Sequence, residues 1–233
     1  MDRRSLLLWL AAAPAFADAG APPELAFPTD FGAHPGTRTE WWYLTGSLTA
    51  GPRLWGFQVT FFRTSTGIGA ASTSRFSPTQ LLFAHAALTD LDGRRLRHDQ
   101  RVARSGFGIA QARRGETAIV LRDWRMSRSP LPADPGRSRY SANVASDAAG
   151  FALDLGCDAT QRVLLQGIGG LSRKGPDSGD ASRYYSEPQL AVQGTLVLDG
   201  RPFAVQGRAW LDHEWSDAFI PPQAVGWDWI GMN

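Results

Sequence analysis

The sequence predicts an all-β protein, a barrel or sandwich of short antiparallel strands, and three observations carry that expectation. Nine Trp and twelve Phe occur with 25 Gly and 15 Pro in 233 residues, a mixture that favours strands and turns over long helices. Aromatic and aliphatic runs recur at short spacing, separated by turn signals such as Asp92-Gly93, Pro135-Gly136 and Asp199-Gly200. No run supports a helix longer than two turns. With 43% hydrophobic and 20% charged residues the chain is neither disordered nor collagen-like, and its length allows one large domain or two small ones.

The first element is an address. Residues 1–17 combine Asp2-Arg3-Arg4-Ser5, the apolar run Leu6 to Ala13, and Ala15-Phe16-Ala17 as a small-x-small cleavage site. Paired arginines directly before the apolar run point to a twin-arginine signal, with a general export signal as the alternative. The cleavage site carries no cysteine for a lipid anchor, and no later segment has the ~18 apolar residues of a membrane helix. A periplasmic or secreted protein without stable membrane insertion is expected. Residues 18–29, containing Ala19-Gly20-Ala21-Pro22-Pro23, read as a linker.

Strands follow in order. Glu40 to Leu48, Leu54 to Arg63 and Gln80 to Asp90 are too short or too β-branched for helices, and Thr117 to Trp124, Tyr140 to Ser146, Phe151 to Cys157 and Val163 to Ile168 continue the pattern. Leu190 to Leu198 and Phe203 to Trp210 flank Asp199-Gly200, the strongest hairpin signal in the chain. Period-two alternation groups Leu81, Phe83, His85 and Ala87 on one face, setting an imidazole among apolar groups. In the last strand Val205, Gly207, Ala209 and Leu211 point one way, while Trp210, Asp212 and Glu214 point the other.

Charge and cysteine content narrow the partners. Basic residues number 24 against 22 acidic ones, and all but Lys174 are Arg, spread along the chain without the stripe of a nucleic-acid footprint. The densest group, Arg94, Arg95, Arg97, Arg101 and Arg104, alternates with Asp90, Asp92 and Asp99 and reads as a solvated hairpin. Cys157 is alone, so no intramolecular disulfide forms, and no CxxC or CxxH pair offers a structural zinc site. Gly167-Ile168-Gly169-Gly170 lacks the third glycine of a dinucleotide fingerprint, and neither a GxxxxGK[ST] loop nor a GxSxG elbow is present.

Chemistry concentrates in Trp210-Leu211-Asp212-His213-Glu214-Trp215-Ser216. A carboxyl beside indole surface is desolvated, which disfavours its charged form and suits it to general acid work. The alternative is that His213 and Glu214 anchor a β-corner. His85, Asp212, His213 and Glu214 are also metal-ligand types, but they lack HExxH spacing on an extended segment, and no metal is expected.

Several blocks, taken together and in order, resemble the carotenoid 1,2-hydratase and AttH-like family, many of whose members are labelled predicted secreted hydrolases. They are Asp30 to Pro35 (DFGAHP), Glu40 to Gly46 (EWWYLTG), Gly56 to Arg63 (GFQVTFFR), Phe83 to Ala87 (FAHAA), Ser172 to Gly175 (SRKG), Tyr184 to Ser186, Trp210 to Trp215 (WLDHEW) and Gly226 to Trp229 (GWDW). The resemblance implies two consecutive lipocalin-like antiparallel β-barrels with an apolar ligand cavity, and cofactor-free addition of water to an unactivated alkene. It places the proton donor on Asp212, and the chemistry of alkene hydration then asks a second polar group, His213, Glu214 or Tyr185, to position the water. Trp210, Tyr184, Tyr185, His85, Trp42 and Trp227 are the expected contacts to a small hydrophobic molecule. Trp210 stands where the hydratases have Tyr, and Tyr184-Tyr185-Ser186 where they have His and Trp, which widens the expected substrate to isoprenoid- or lipid-like molecules. A carrier of hydrophobic ligands and a cell-surface attachment factor are the competing readings. Residues 30–200 are expected to form the N-terminal barrel and 201–233 to begin a second one, the chain then being either a C-terminally truncated fragment or one whose second barrel has been lost.

Overall fold

Alternating apolar and polar residues lay the chain out as antiparallel strands in a computed structural model that describes residues 24–68, 72, 74, 76–218, 221, 224–226 and 228–231. The export signal read at 1–17, linker residues 18–23 and Trp227 lie outside the described residues. A short 3-10 turn, Thr29–Phe31, precedes a first meander of β1 (Thr39–Ala50), β2 (Arg53–Ser65), β3 (Gln80–Asp90) and β4 (Arg95–Arg104). A second meander runs through β5 (Ala110–Ala112), β6 (Ala118–Leu121), β7 (Trp124–Leu131), β8 (Asp134–Ser146) and β9 (Phe151–Asp158). Two short strands, β10 (Leu164–Leu165) and β11 (Leu171–Arg173), lead into a long hairpin of β12 (Ala181–Leu198) and β13 (Arg201–Ser216). No helix among the described residues is long and apolar enough to cross a membrane.

The sheet order is β4-β3-β2-β1-β13-β12-β9-β8-β7-β6-β5, so the last hairpin stands between the two meanders and joins them. Asp199 and Gly200 both take positive φ, 48° and 77°, as a two-residue hairpin turn of this twist requires. The sheet curls into a nearly closed antiparallel barrel, with β3 and β4 approaching β6. Arginines span the seam: Arg97 on β4 grips the Asp199 carboxylate at 2.7 and 2.6 Å and the Ala149 carbonyl at 2.9 Å, and the Arg101 guanidinium lies 4.8 Å over the Trp124 ring. The arginine cluster read as a solvated hairpin is therefore partly structural, because Arg97 and Arg101 close the barrel while Arg94 and Arg95 stay exposed.

Two expectations need correction. The domain boundary drawn at residue 200 falls within the β12–β13 hairpin, and residues 201–216 pair with β1 on one side and β12 on the other. They belong to the same barrel as residues 30–200. On β3 the inward residues are Leu82, Ala84, Ala86 and Leu88, and His85 is exposed on the outside beside Phe62 and Phe83. Residues 81–88 are apolar on both faces except for His85, so alternation alone does not say which set faces in.

The interior is filled by side chains. Trp42, Leu44, Trp55, Val59, Phe61 and Trp124 are exposed by 1% or less. β1 and β13 approach closely at Gly46 and Gly207, where a Cβ would lie 2.1 Å from the Arg208 carbonyl oxygen and 1.9 Å from that of Ser47. Grooves of about 240 and 540 Å³ lie on the outer surface, the first along Arg95 to Asp99 and the second along Arg139, Asp154, Gln193 and Thr195, away from the Trp210 to Ser216 segment.

Candidate functional site

Residues 211–216 of β13 are buried on both faces, because the inner face packs in the barrel and the outer face is covered. Alternation then sorts the ionisable groups: His213 points inward, whereas Asp212 and Glu214 point outward. Cross-strand register brings Tyr43 of β1 and Ser186 of β12 opposite Asp212, and Tyr184 opposite Glu214.

On the outer face the Asp212 carboxylate is ringed by donors. Oδ1 accepts from the Ser186 hydroxyl at 2.5 Å and the Trp210 indole N–H at 2.7 Å, and Oδ2 accepts from the Trp229 indole N–H at 2.9 Å. The Tyr184 hydroxyl hydrogen-bonds to the same carboxylate. Gln166 in turn donates to Ser186 at 2.8 Å. Burial raises the Asp212 pKa from the ordinary aspartate value, and the four hydrogen bonds only partly offset it. Glu214 is also raised by burial, against the pull of Lys174, whose ammonium lies 2.8 Å from its carboxylate, and of the Ser182 hydroxyl, which donates to it. The Trp229 ring stands 5.3 Å from Tyr43 and 6.4 Å from Trp210, and at 41% exposure it is the most open member of this ring. Burial first, and then the Asp212 charge, push the Tyr184 phenol well up, so it acts as a hydrogen-bond donor.

The inner face holds a separate network. His213 Nε2 lies 2.9 Å from Glu40 Oε1 and its Nδ1 lies 3.0 Å from the Tyr185 hydroxyl, with Trp42 stacked on the imidazole at 4.5 Å. Burial holds His213 below the usual histidine value, which fits a neutral ring donating to Glu40 and accepting from Tyr185. Glu40 also meets His34 Nδ1 at 2.7 Å and the Arg63 guanidinium at 2.7 Å. Burial works to raise Glu40, but hydrogen bonds from and proximity to His213 and His34 bring it down to about 2. His34 stacks on Trp215 at 3.7 Å.

By type, His34, Glu40 and His213 could hold a metal, since their donor atoms lie within 4.8 Å of one another. The same carboxylate already carries an Arg63 cation, and its oxygens are taken by N–H donors, so the set reads as a charge network. The ligand types grouped in the sequence are not brought together. His85 is on the outer wall elsewhere, and His213 is on the opposite face from Asp212 and Glu214.

Of the residues expected at one site, Asp212, Glu214, Trp210 and Tyr184 do assemble. His213, Tyr185 and Trp42 form the inner network instead, because they alternate with the outer set along their strands. Sequence reasoning missed Ser186, Gln166, Lys174 and Trp229 on the outside and Glu40, His34 and Arg63 on the inside. Ser186 shares a face with Tyr184, but the bulge after Glu187 hides which face that is, and Glu40 meets His213 across 173 residues of chain, which no local signal reports.

The AttH-like family model matches residues 18–233. The chain belongs to the AttH-like family. Among solved structures, a Nitrosomonas europaea protein assigned to AttH is 40% identical with a TM-score of 0.75, over 87% of this chain and 58% of that one. Kievitone hydratase from Nectria haematococca shares the fold at 14% identity and a TM-score of 0.59, over 88% of this chain and 55% of that one. This AttH-like chain thus spans a little over half the length of either structure. No curated protein matches it.

Proposed function

We propose that this AttH-like chain is an exported, cofactor-free hydratase or lyase acting on an isolated carbon–carbon double bond of a hydrophobic, isoprenoid- or lipid-like molecule. The observation that carries this reading is Asp212, a buried carboxyl with a raised pKa, ringed by neutral donors and two indoles. Burial favours the protonated acid needed to attack an unactivated alkene. As its proton passes to the alkene carbon, Ser186, Tyr184, Trp210 and Trp229 are already aimed at the carboxylate that develops, so the donors strengthen in the transition state. The indole faces of Trp210 and Trp229 favour the carbocation. Water adds to the cation and gives up a proton to Glu214, and proton return to Asp212 completes the cycle. A hydratase sharing the fold and the export pattern of residues 1–17 support the reading.

A carrier of the same ligands would use the indoles and leave Asp212 idle. Asp212→Asn separates the two. Turnover of isoprenoid alkenes should fall by about 100-fold or more while the far-ultraviolet dichroism stays native. Undiminished turnover would rule out Asp212 as the acid.

A further inference from the structure

Two carboxyls sit on one buried face two residues apart on β13, and their surroundings differ in one respect. Among the described residues Asp212 is met only by neutral donors, Ser186, Tyr184, Trp210 and Trp229. Glu214 is met by a full cation, the Lys174 ammonium at 2.8 Å, and by Ser182. Lys174 is the one lysine of a chain whose other basic residues are all Arg. It stands at the end of β11, with its ammonium 5.1 Å over the Tyr184 ring.

We propose that Lys174 sorts the proton between the two carboxyls: its charge holds Glu214 as the anion and thereby leaves the proton on Asp212. Burial disfavours a charge on either carboxyl, an Asp212 charge adds to the cost of one on Glu214, and the cation decides which ionises first. Among the described residues the other titratable groups facing the pair are Tyr43 from β1 and Tyr184 from β12, whose phenol burial pushes well up. Arg208 lies on the same face of β13 beyond Trp210, exposed, and Asp228 is exposed next to Trp229. Neither shows an ion pair with Asp212 or Glu214 among the described residues. Lys174 is thus a positioning residue that acts through Glu214, and a lysine does this as a compact point charge. The assignment rests on the hydratase reading for the roles of acid and base, but the order of ionisation is a property of the resting protein.

The test therefore needs no substrate. Carboxyl carbon resonances of Asp212 and Glu214, assigned through Asp212→Asn and Glu214→Gln, are titrated by NMR in the wild type, Lys174→Met and Lys174→Arg. In the wild type Glu214 should ionise at lower pH than Asp212. In Lys174→Met the Glu214 midpoint should rise by about one pH unit or more, as expected for loss of a cation in contact, and Asp212 should fall toward it. Lys174→Arg should restore the wild-type order. A Glu214 midpoint that does not move in Lys174→Met, or an Asp212 that ionises first in the wild type, overturns the proposal. Loss of turnover in Asp212→Asn with an unmoved titration order would leave the hydratase reading standing and this one refuted.

Discussion

Replacing Glu40 and Arg63 together, Glu40→Gln with Arg63→Met, should remove a large part of the protein's sensitivity to acid. Glu40 is depressed from 4.5 to about 2 in the folded state. At ~1.36 kcal/mol per pKa unit that depression is worth roughly 3 kcal/mol of stability. Because the folded value lies below the unfolded one, this stabilisation is fully present above about pH 4.5 and is lost as the pH falls toward about 2. Urea unfolding followed by Trp fluorescence at pH 5 and pH 2 reads it directly. The wild type should lose roughly 3 kcal/mol more over that interval than the double variant. The raised carboxyls Asp212, Glu187 and Glu214 titrate with the opposite sign, losing stability as the pH rises, but they are common to both proteins and cancel. The double replacement is the informative one, since Glu40→Gln alone strands the Arg63 charge in a buried place at a cost of about 3–5 kcal/mol. Parallel pH dependences in the two proteins would refute the assignment of acid sensitivity to this network.

On the proposed mechanism the acid form of Asp212 is the active one, so turnover should fall as the pH rises through its elevated value, and Trp210→Phe should move that limb to higher pH by removing a donor to the carboxylate; a pH–rate profile checks both. Cys157 is pushed up to about 12 by burial and then by Asp158, so a thiol-reactive dye at pH 8 should label the native protein only as fast as it unfolds. Arg97→Ala removes the clamp across the barrel seam and should lower the melting temperature by a few degrees in a calorimetric scan.

The strands were legible because their signals are local: alternation, turn residues, and Asp199-Gly200 between two apolar runs. The same dipeptide argued against a domain boundary, since a hairpin pairs the strands on either side of it. The outer site was legible as far as alternation reaches, through Trp210, Asp212 and Glu214. The inner and outer residues of β12 were not, because a β-bulge between Glu187 and Leu190 reverses the phase of the strand. Leu190, Val192 and Leu196 face inward, and extending that phase backwards would turn Tyr184 and Ser186 into the barrel. The extra residue puts Tyr185 and Glu187 there instead. The partners of Glu40 and the cover supplied by Trp229 depend on contacts between distant parts of the chain, which composition and periodicity do not encode.

The insertion of β13 between β1 and β12 also sets a timetable. β1 pairs early with β2, but its other edge waits for a strand that leaves the ribosome some 150 residues later, roughly 10–30 s at typical synthesis rates. During that interval Trp41, Trp42 and Tyr43 lie on an open strand edge, the kind that recruits foreign strands. Closure then demands a contact of very long sequence separation, which slows folding. The yield of folded protein should therefore depend on how well the nascent first meander is shielded, more than on the stability of the finished barrel.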